Sequence, residues 1–250
     1  MTNQKVFIGN ANFSTFGIDE TLEWMRSAIE IKRNKFYAAI TNIHVMVLID
    51  RDPQLARIVD NAEVCFCDSV SIVKLGLRNR RQVPLCYGPD YFLRCCEYGV
   101  ALSWRHYFVG GGEGVANQLV NNLRDRYPGI DIAGTFVPPF RDMTNKEDED
   151  MIYEINVAKP DIVWVGLGAG KQDKWIDTHK SKINATWFSG IGAAFDFISG
   201  NTKRAPVFWQ KLGLGWLYRF AFEPKRLLIR NIEGLNLLLK FHFNYRKNMK

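Results

Sequence analysis

Short apolar segments that alternate with amphipathic stretches restrict the fold of this chain more than any other feature. Residues 161–166 (DIVWVG) are almost entirely apolar, which is typical of a parallel strand covered on both faces. The alternation predicts an α/β fold with a Rossmann-like, mostly parallel sheet flanked by helices. Further strands are predicted at 35–41, 63–67, 106–109, 130–134 and 185–189, helices from Asp52-Pro53 and at 69–77, 114–127, 147–158 and 171–179, and a turn at 191–198.

The surplus of positive charge is confined to the C-terminal end. The chain carries 33 Lys and Arg against 26 Asp and Glu. Residues 203–250 hold eleven of the basic residues but only Glu223 and Glu233, so their formal charge is +9 and that of residues 1–202 is −2. The same end is rich in aromatic and aliphatic residues. We therefore predict an α/β domain at 1–202 and a C-terminal basic amphipathic helical appendage at 203–250.

Basic, apolar and helical character together indicate that residues 203–250 bind an anionic membrane surface. The alternatives are a nucleic-acid-binding arm and a terminal pair of helices that packs on the core with a solvated basic face. We expect no nucleic acid as partner, because the basic residues accompany bulky apolar ones. No apolar run reaches the roughly 20 residues that span a bilayer, and the N-terminus lacks the apolar stretch of a signal peptide. The expectation is a cytoplasmic protein.

Ligands of parallel α/β sheets bind beyond the carboxyl ends of the strands. Suggestive residues follow five predicted strands, at 41–42, 68–69, 110–114, 166–172 and 190–196. Glycine-rich turns into helix N-termini let backbone amides approach a phosphate, which predicts an anion or nucleotide site, with tight turns that bind nothing as the alternative. Val115 stands where a dinucleotide fingerprint requires glycine, and Gln172 follows Gly170-Lys171 where a P-loop requires Ser or Thr.

The spacing of cysteine, histidine and acidic residues does not predict a metal site. The cysteines at 65, 67, 86, 95 and 96 lack the spacing of zinc ligands, and Cys65 and Cys67 are best explained as small buried residues of a strand. The acidic run at 147–150 is similar to a DxD metal clamp. It follows Thr144 at the start of a predicted helix, where the helix dipole favours acidic residues. We therefore expect neither a metal nor another cofactor.

Several blocks of residues form, in order, a recognisable pattern. They lie at 41–45, 52–53, 62–68, 108–111, 126–129, 160–161, 166–175, 190–200, 203–206 and 214–226. The most specific are GKQDKW at 170–175, RAP at 204–206, WLYR at 216–219 and EPKR at 223–226. With these blocks the chain, over roughly residues 5–232, resembles the WecG/TagA/CpsF family of bacterial glycosyltransferases.

This resemblance implies an enzyme that transfers a sugar, with inversion, from a UDP-sugar to a polyprenyl-diphosphate-linked glycan. The implied place is the inner face of the cytoplasmic membrane, and the products are teichoic acid, common antigen, capsule or exopolysaccharide. Relatives transfer N-acetylmannosamine, its uronic acid or glucose. The resemblance leaves the sugar, the acceptor glycan and the oligomeric state open, with a homo-oligomer as one alternative.

The resemblance also implies roles for individual residues. Asp68 matches the proposed catalytic base of the family, which agrees with its place at the end of an apolar strand, where partial desolvation would raise its pKa. The alternative is that Asp68 only caps the helix that starts at Ser69. The other matched positions are Asn42, Gln172 and Asp196 in the donor pocket, and Arg219 and Arg226 near the diphosphate. For the two arginines, contact with lipid phosphate or plain surface charge is the alternative.

Thr41, Gly110 and Gly111 complete the candidate substrate-binding residues, because they lie at the ends of predicted strands. Three positions depart from the family pattern. Ser69 replaces a glycine beside the proposed base, Gly170 replaces a proline, and Ile40 stands where the family often has threonine. Two other classes of function stay open at this point. They are a non-catalytic nucleotide- or lipid-binding module at the membrane and a nicotinamide-dependent oxidoreductase.

Overall fold

The computed structural model describes residues 3–32, 34–112, 114–202, 205, 206, 209 and 224–247, with the side chains of 228–243 in the last of these ranges. The elements are, in chain order, β1 (Lys5–Ile8), β2 (Ala11–Ser14), α1 (Ile18–Ile31), β3 (Phe36–Thr41), α2 (Ile43–Arg51), α3 (Pro53–Asp60), β4 (Val64–Cys67), α4 (Val70–Arg78), α5 (Gly88–Ala101), β5 (Arg105–Gly110), α6 (Val115–Arg126), β6 (Asp131–Phe136), α7 (Asn145–Ala158), β7 (Ile162–Gly166), α8 (Lys171–His179), β8 (Trp187–Gly190), α9 (Ala193–Ile198) and α10 (Pro224–Lys247).

Strands β3 to β8 form one sheet in the order β4-β3-β8-β7-β5-β6, and every pair of neighbours in it is parallel. β1 and β2 form a separate antiparallel hairpin. The predicted α/β fold, with a mostly parallel sheet flanked by helices, is thus confirmed. Because all six strands run in one direction, their carboxyl ends lie along one side of the sheet, which we call the carboxyl edge.

Strand β7 lies in the interior of the sheet, and burial on both faces explains its unbroken apolar sequence. Val163 and Val165 face the core that α2, α3, α7, α8 and α10 cover, whereas Ile162 and Trp164 face the core beneath α1, α5, α6 and α9. All four side chains are fully buried. Trp164 packs edge-on against Phe92 of α5, with 4.8 Å between the ring centroids. Full burial of one such side chain contributes roughly 2 kcal/mol, so β7 is a main source of core stability.

The predicted start of α3 at Asp52 is confirmed in atomic detail. A carboxylate oxygen of Asp52 accepts hydrogen bonds from the backbone nitrogens of Gln54 and Leu55, at 3.0 and 3.1 Å. Pro53 occupies the first helical position, where its missing N–H group breaks no helical hydrogen bond. Polar capping and proline placement therefore locate this helix from sequence within one residue.

The prediction of a turn at 191–198 is wrong, because residues 193–198 form the short helix α9. Its Ala194 and Phe195 are buried against the sheet, and a Cβ atom on Gly166 would lie 2.7 Å from the Phe195 ring. Six residues are too few for an isolated helix to be stable, so packing against the sheet stabilises it. No prediction covered β1, β2, α1, α2 or α5.

Helix α10 belongs to the region predicted as an appendage and packs against α2 of the α/β part. Its Leu237 and Phe241 are each 6% exposed. A Cβ atom on Gly9 would lie 2.7 Å from the Phe241 ring, so the β1–β2 turn needs a glycine at this contact. Lys240 pairs with Asp50 at 3.0 Å. One face of α10 is thus part of the core, and the division of the chain near residue 202 stays a prediction.

The opposite face of α10 carries a second row of apolar side chains, which we call the outer stripe. Its members are Leu228, Ile232, Leu235, Leu239 and Phe243, and each of them is 45 to 60% exposed. Their spacing of three or four residues places them on one side of the helix, turned away from α2. Among the described residues, no helix combines the length and the apolar character that would be needed to cross a membrane.

Candidate active site

The carboxyl edge brings together the residues that follow β4, β3, β8, β7 and β5, in this order along the sheet. Asp68 follows β4, Asn42 follows β3, and the glycine-rich turns follow β8, β7 and β5. Helices α2, α4, α6 and α8 begin at the same edge, within a few residues of the strand ends. Helix N-termini offer backbone N–H groups and a partial positive charge. This edge therefore favours an anionic ligand such as a phosphate.

Gly110 and Gly111 lie where β5 and β7 end side by side. Gly110 has a φ of +117°, and a Cβ atom there would lie 2.5 Å from the carbonyl oxygen of Gly166. The backbone nitrogen of Gly111 donates to that same oxygen at 3.2 Å. The structure thus explains both glycines by close backbone packing. Their contact with a substrate stays a prediction.

Gly110→Ala is expected to lower the free energy of unfolding by about 3 kcal/mol, which corresponds to roughly 6 to 12 °C in Tm. The reason is that alanine would combine a left-handed φ with a clash against the Gly166 carbonyl. Thermal and urea denaturation measure the loss. The matched control is Gly112→Ala, because a Cβ atom there would meet Val115 at an ordinary 3.8 Å. Equal losses in both variants would contradict the strain at Gly110.

Gln172 lies at the floor of the carboxyl edge and is only 5% exposed. Its Oε1 atom accepts a hydrogen bond from the backbone nitrogen of Gly192 at 3.0 Å. A Cβ atom on Gly190 would lie 2.7 Å from the Gln172 amide, so the side chain fills the space above β8. Because a backbone N–H group can only donate, the amide oxygen must face Gly192, and Nε2 lies on the side of Gly190. Nε2 is therefore the group of Gln172 that is left to donate a hydrogen bond.

Backbone N–H donors also fix the orientation of the Asn42 amide. Its Oδ1 atom caps α2 and accepts from the backbone nitrogens of His44 and Val45 at 3.0 and 3.2 Å. The amide oxygen is therefore bound to the helix N-terminus, and Nδ2 is the polar group that a ligand can use. Two amide donors, from Asn42 and Gln172, suit a ligand rich in oxygen acceptors. Their donor-pocket roles, which the resemblance implies, stay predictions.

Thr41 supports the edge from below. Its side chain is fully buried, and its hydroxyl oxygen accepts a hydrogen bond from the Cys65 thiol at 3.4 Å. Its backbone carbonyl accepts from the nitrogen of Asp68 at 3.0 Å. The structure thus places the Thr41 side chain on the core side of the sheet, and a direct contact with substrate stays a prediction.

Asp68 is half-buried at the end of β4. The N-cap position of α4 belongs to Ser69, whose side chain makes no capping hydrogen bond. The Asp68 carboxylate lies beside the start of α5, because a Cβ atom on Gly88 would lie 3.9 Å from Oδ2. Asp68 thus stands one residue before the N-cap, and its role as the catalytic base stays a prediction.

The segment 85–88 encloses Asp68, and no prediction covered it. The backbone nitrogen of Cys86 donates to the carbonyl oxygen of Cys67 at 2.9 Å, so this segment runs beside the end of β4. Burial raises the pKa of the Cys86 thiol to about 12, and the nearby charge of Asp68 adds to the rise. Gly88-Pro89, a helix-start pattern, is the signal that could have located this wall of the site.

The other predicted site residues lie farther along the chain. Asp196 is in α9, where its Oδ1 atom accepts from the Asn201 amide at 3.4 Å and its backbone carbonyl accepts from the nitrogen of Thr202. It therefore shapes the turn that follows α9, and its role in donor binding stays a prediction. Arg219 lies outside the described residues. Arg226 falls in α10, but its side chain lies outside the described part, so both arginine roles also stay predictions.

The specific block GKQDKW opens α8, and four of its side chains make contacts within the protein. Besides Gln172, Lys174 pairs with Asp52 at 2.6 Å, and the Trp175 ring stacks on His179 with 4.3 Å between centroids. Asp173 is buried and accepts hydrogen bonds from the Tyr37 hydroxyl and the Gly170 backbone nitrogen. Lys171 is exposed. A motif that distinguishes the family in sequence therefore serves largely to hold α8 in place.

The acidic run at 147–150 has structural partners at its first two residues. Glu147 pairs with Arg141 at 2.6 Å, which holds the pKa of Glu147 at about 2, and it accepts from the Thr144 backbone nitrogen. Asp148 contacts His179 at 2.7 Å. Within the described residues, no group of three or more His, Cys, Asp or Glu side chains could hold a metal ion. The prediction that the run marks a helix start is confirmed.

A carboxylate and two amide donors beside helix N-termini, on a parallel α/β sheet, are typical of enzymes that act on phosphate-bearing substrates. A sequence model of the Glycosyl transferase WecG/TagA/CpsF family matches residues 6–250, and the chain belongs to this family. It is therefore a glycosyltransferase, which excludes the oxidoreductase and non-catalytic alternatives.

Relatives of known activity come from Staphylococcus aureus. The N-acetylglucosaminyldiphosphoundecaprenol N-acetyl-beta-D-mannosaminyltransferases of strains NCTC 8325 / PS 47 and COL are each 25% identical to this chain over 197 residues. The aligned part covers 78% of this chain and 75% of each relative. The corresponding enzyme of strain MRSA252 is also 25% identical over 197 residues.

Proposed function

We propose that this glycosyltransferase moves a sugar from a UDP-sugar to a polyprenyl-diphosphate-linked glycan, with inversion at the anomeric carbon. One observation carries the proposal, namely that the Asp68 carboxylate and the amide donors of Asn42 and Gln172 line one sheet edge at which several helices begin. A base and a set of anion-binding donors are the two parts that such a transfer needs.

In the proposed reaction Asp68 accepts the proton of the acceptor hydroxyl as its oxygen attacks the anomeric carbon of the donor sugar. The new bond joins the acceptor oxygen to that carbon. The bond between the carbon and the β-phosphate oxygen breaks, and UDP leaves with the electron pair. Attack from the face opposite the leaving group inverts the configuration, so no covalent enzyme intermediate is required.

The leaving UDP gains negative charge, which the enzyme must stabilise. The described groups that suit this task are the N-termini of α6 and α8 and the amide nitrogens of Asn42 and Gln172. Arg219 and Arg226 are the proposed cationic partners of the diphosphate. With these donors and cations we expect transfer to proceed without a metal ion or another cofactor.

The relatives suggest the substrates more closely. The Staphylococcus enzymes carry in their names an N-acetylmannosaminyl group and an acceptor with N-acetylglucosamine on undecaprenyl diphosphate. N-acetylmannosamine is therefore the first of the three candidate donor sugars for this chain, before its uronic acid and glucose. A polyprenyl-diphosphate acceptor is compatible with either a teichoic acid or another surface polysaccharide.

A lipid-linked acceptor requires the enzyme to work at a membrane, and α10 offers the surface for it. The outer stripe exposes five apolar side chains on a part of the chain whose formal charge is +9. Apolar side chains insert at the boundary of headgroups and acyl chains, and basic ones attract anionic lipid. We propose peripheral binding to the inner face of the cytoplasmic membrane, where UDP-sugars are made, with no nucleic acid as partner.

The test is a panel of UDP-sugars with a polyprenyl-diphosphate-linked N-acetylglucosamine acceptor, followed by release of UDP in the presence of EDTA. We expect release that depends on the acceptor and is strongest with UDP-N-acetylmannosamine. UDP release with none of the sugars would overturn the proposed reaction, and activity lost in EDTA but restored by a divalent cation would overturn its metal independence. Titration with UDP alone shows separately that the donor site is formed.

A further inference from the structure

Asp173 stands out among the acidic residues because it is only 2% exposed. One carboxylate oxygen accepts a hydrogen bond from the backbone nitrogen of Gly170 at 2.9 Å. The other accepts a hydrogen bond from the hydroxyl group of Tyr37, which is itself buried on β3. Burial raises the pKa of Asp173, although both hydrogen bonds favour the ionised form. A buried carboxyl is costly unless it is hydrogen-bonded, so this placement needs a reason.

Capping of a helix is not a sufficient reason. Two other helices of this chain use an acidic side chain for the same bond, namely Glu20 to the nitrogen of Gly17 in α1 and Glu147 to that of Thr144 in α7, at 3.0 and 2.8 Å. Both of these bonds are on the surface. The cap of α8 differs because its acid is buried and is also bound to the central sheet through Tyr37.

The turn that Asp173 holds is the one that follows β7. Gly168 and Gly170 have φ values of +88° and +78°, so glycine flexibility leaves this turn in need of external support. Asp173 fixes the nitrogen of Gly170, and the residue directly before Asp173, Gln172, carries the amide that bonds Gly192. A continuous line of contacts therefore runs from β3, through Asp173 and the turn, to the segment between β8 and α9.

We propose that Asp173, held by Tyr37, is a positioning residue of the donor site. It sets the turn after β7 so that the Gln172 amide keeps its oxygen on Gly192 and presents Nε2 to the donor. The inference rests on the proposed function, because it takes a UDP-sugar as the ligand. Asp173 itself acts through Gln172 and does not touch the substrate.

The first test measures the line of contacts without any substrate. Amide hydrogen exchange, resolved at Gly192 by NMR, is expected to become about 10-fold faster in Asp173→Asn and in Tyr37→Phe, because Gln172 then holds that amide less well. Glu147→Gln, which weakens the surface cap of α7, is the matched control and should change the exchange by less than about twofold. Unchanged exchange at Gly192 in Tyr37→Phe, with the fold intact by circular dichroism, would overturn the proposal.

The second test asks whether Asp173 acts through Gln172. In the otherwise unmodified enzyme, Asp173→Asn is expected to raise the donor KM about 10-fold and to leave kcat within about twofold. In an enzyme that already carries Gln172→Ala, the same substitution is expected to raise the donor KM by less than about twofold. Independent effects that multiply in the double variant would confine Asp173 to stabilising the fold and overturn the proposal. If the unmodified enzyme transfers no sugar at all, the proposed function fails, while the exchange at Gly192 still decides the role of Asp173.

Discussion

Asp68→Asn is expected to lower kcat for sugar transfer by about 10³-fold, the contribution typical of a general base. Asparagine has nearly the same shape but cannot take up the proton of the acceptor hydroxyl. The backbone of residue 68 bonds to the carbonyl of Thr41 and does not depend on the side chain, so the edge should keep its form. UDP release measures the rate, and calorimetry should show a Kd for UDP within about twofold of the unmodified enzyme.

The matched control is Asp125→Asn, the same substitution at an exposed position near the end of α6 that is remote from the carboxyl edge. We expect no change of kcat in this variant. Near-normal turnover in Asp68→Asn would remove Asp68 from the mechanism. Loss of UDP binding together with turnover would instead assign the carboxylate a part in forming the donor pocket.

Replacing Ile232, Leu235 and Leu239 by asparagine is expected to weaken binding to anionic vesicles by about 100-fold. Each of these side chains is about half exposed, and its transfer to the acyl-chain boundary contributes on the order of 1 kcal/mol, while 1.4 kcal/mol corresponds to a factor of ten. Co-sedimentation with vesicles of phosphatidylglycerol and phosphatidylethanolamine measures the partition. Tm should change little, because the outer stripe faces away from α2.

A matched control for the outer stripe is available on α7, where Tyr153 and Val157 are 71 and 61% exposed. Their replacement by asparagine removes exposed apolar surface from a helix outside the proposed membrane-binding region, and vesicle binding should stay unchanged. If the triple variant of α10 still binds as tightly as the unmodified protein, then charge alone holds the enzyme at the membrane. The outer stripe would then need another partner.

Some parts of the fold and of the candidate site could be predicted, because the sequence signals for them are local. A run such as residues 161–166 contains, within six residues, the information that both faces of β7 are covered. Asp52-Pro53 likewise carries a complete helix start. The place of Asp68 after a strand was also visible in sequence, but the segment 85–88 that encloses it was not, because that contact joins residues about twenty positions apart.

Helix α10 shows what an amphipathic sequence pattern cannot predict. Its sequence contains two apolar rows and basic residues, which is consistent with packing on the core and with binding to a membrane. Only the contacts of Leu237 and Phe241 reveal that one row is covered, and that the outer stripe is the row left exposed. A helical period tells which residues share a face, but it does not tell what covers that face.

The sequence alone was enough to predict the parallel α/β sheet, which the structure confirms, and to place the candidate site residues after its strands. The tertiary structure was needed to show that the Gln172 amide oxygen is bound to the backbone nitrogen of Gly192 and that the Asp173 carboxyl is buried. The physical reason is the separation along the chain over which each signal acts. Burial periodicity and capping act between near neighbours, whereas the orientation of an amide depends on a partner such as Gly192, which the chain brings close only when it folds.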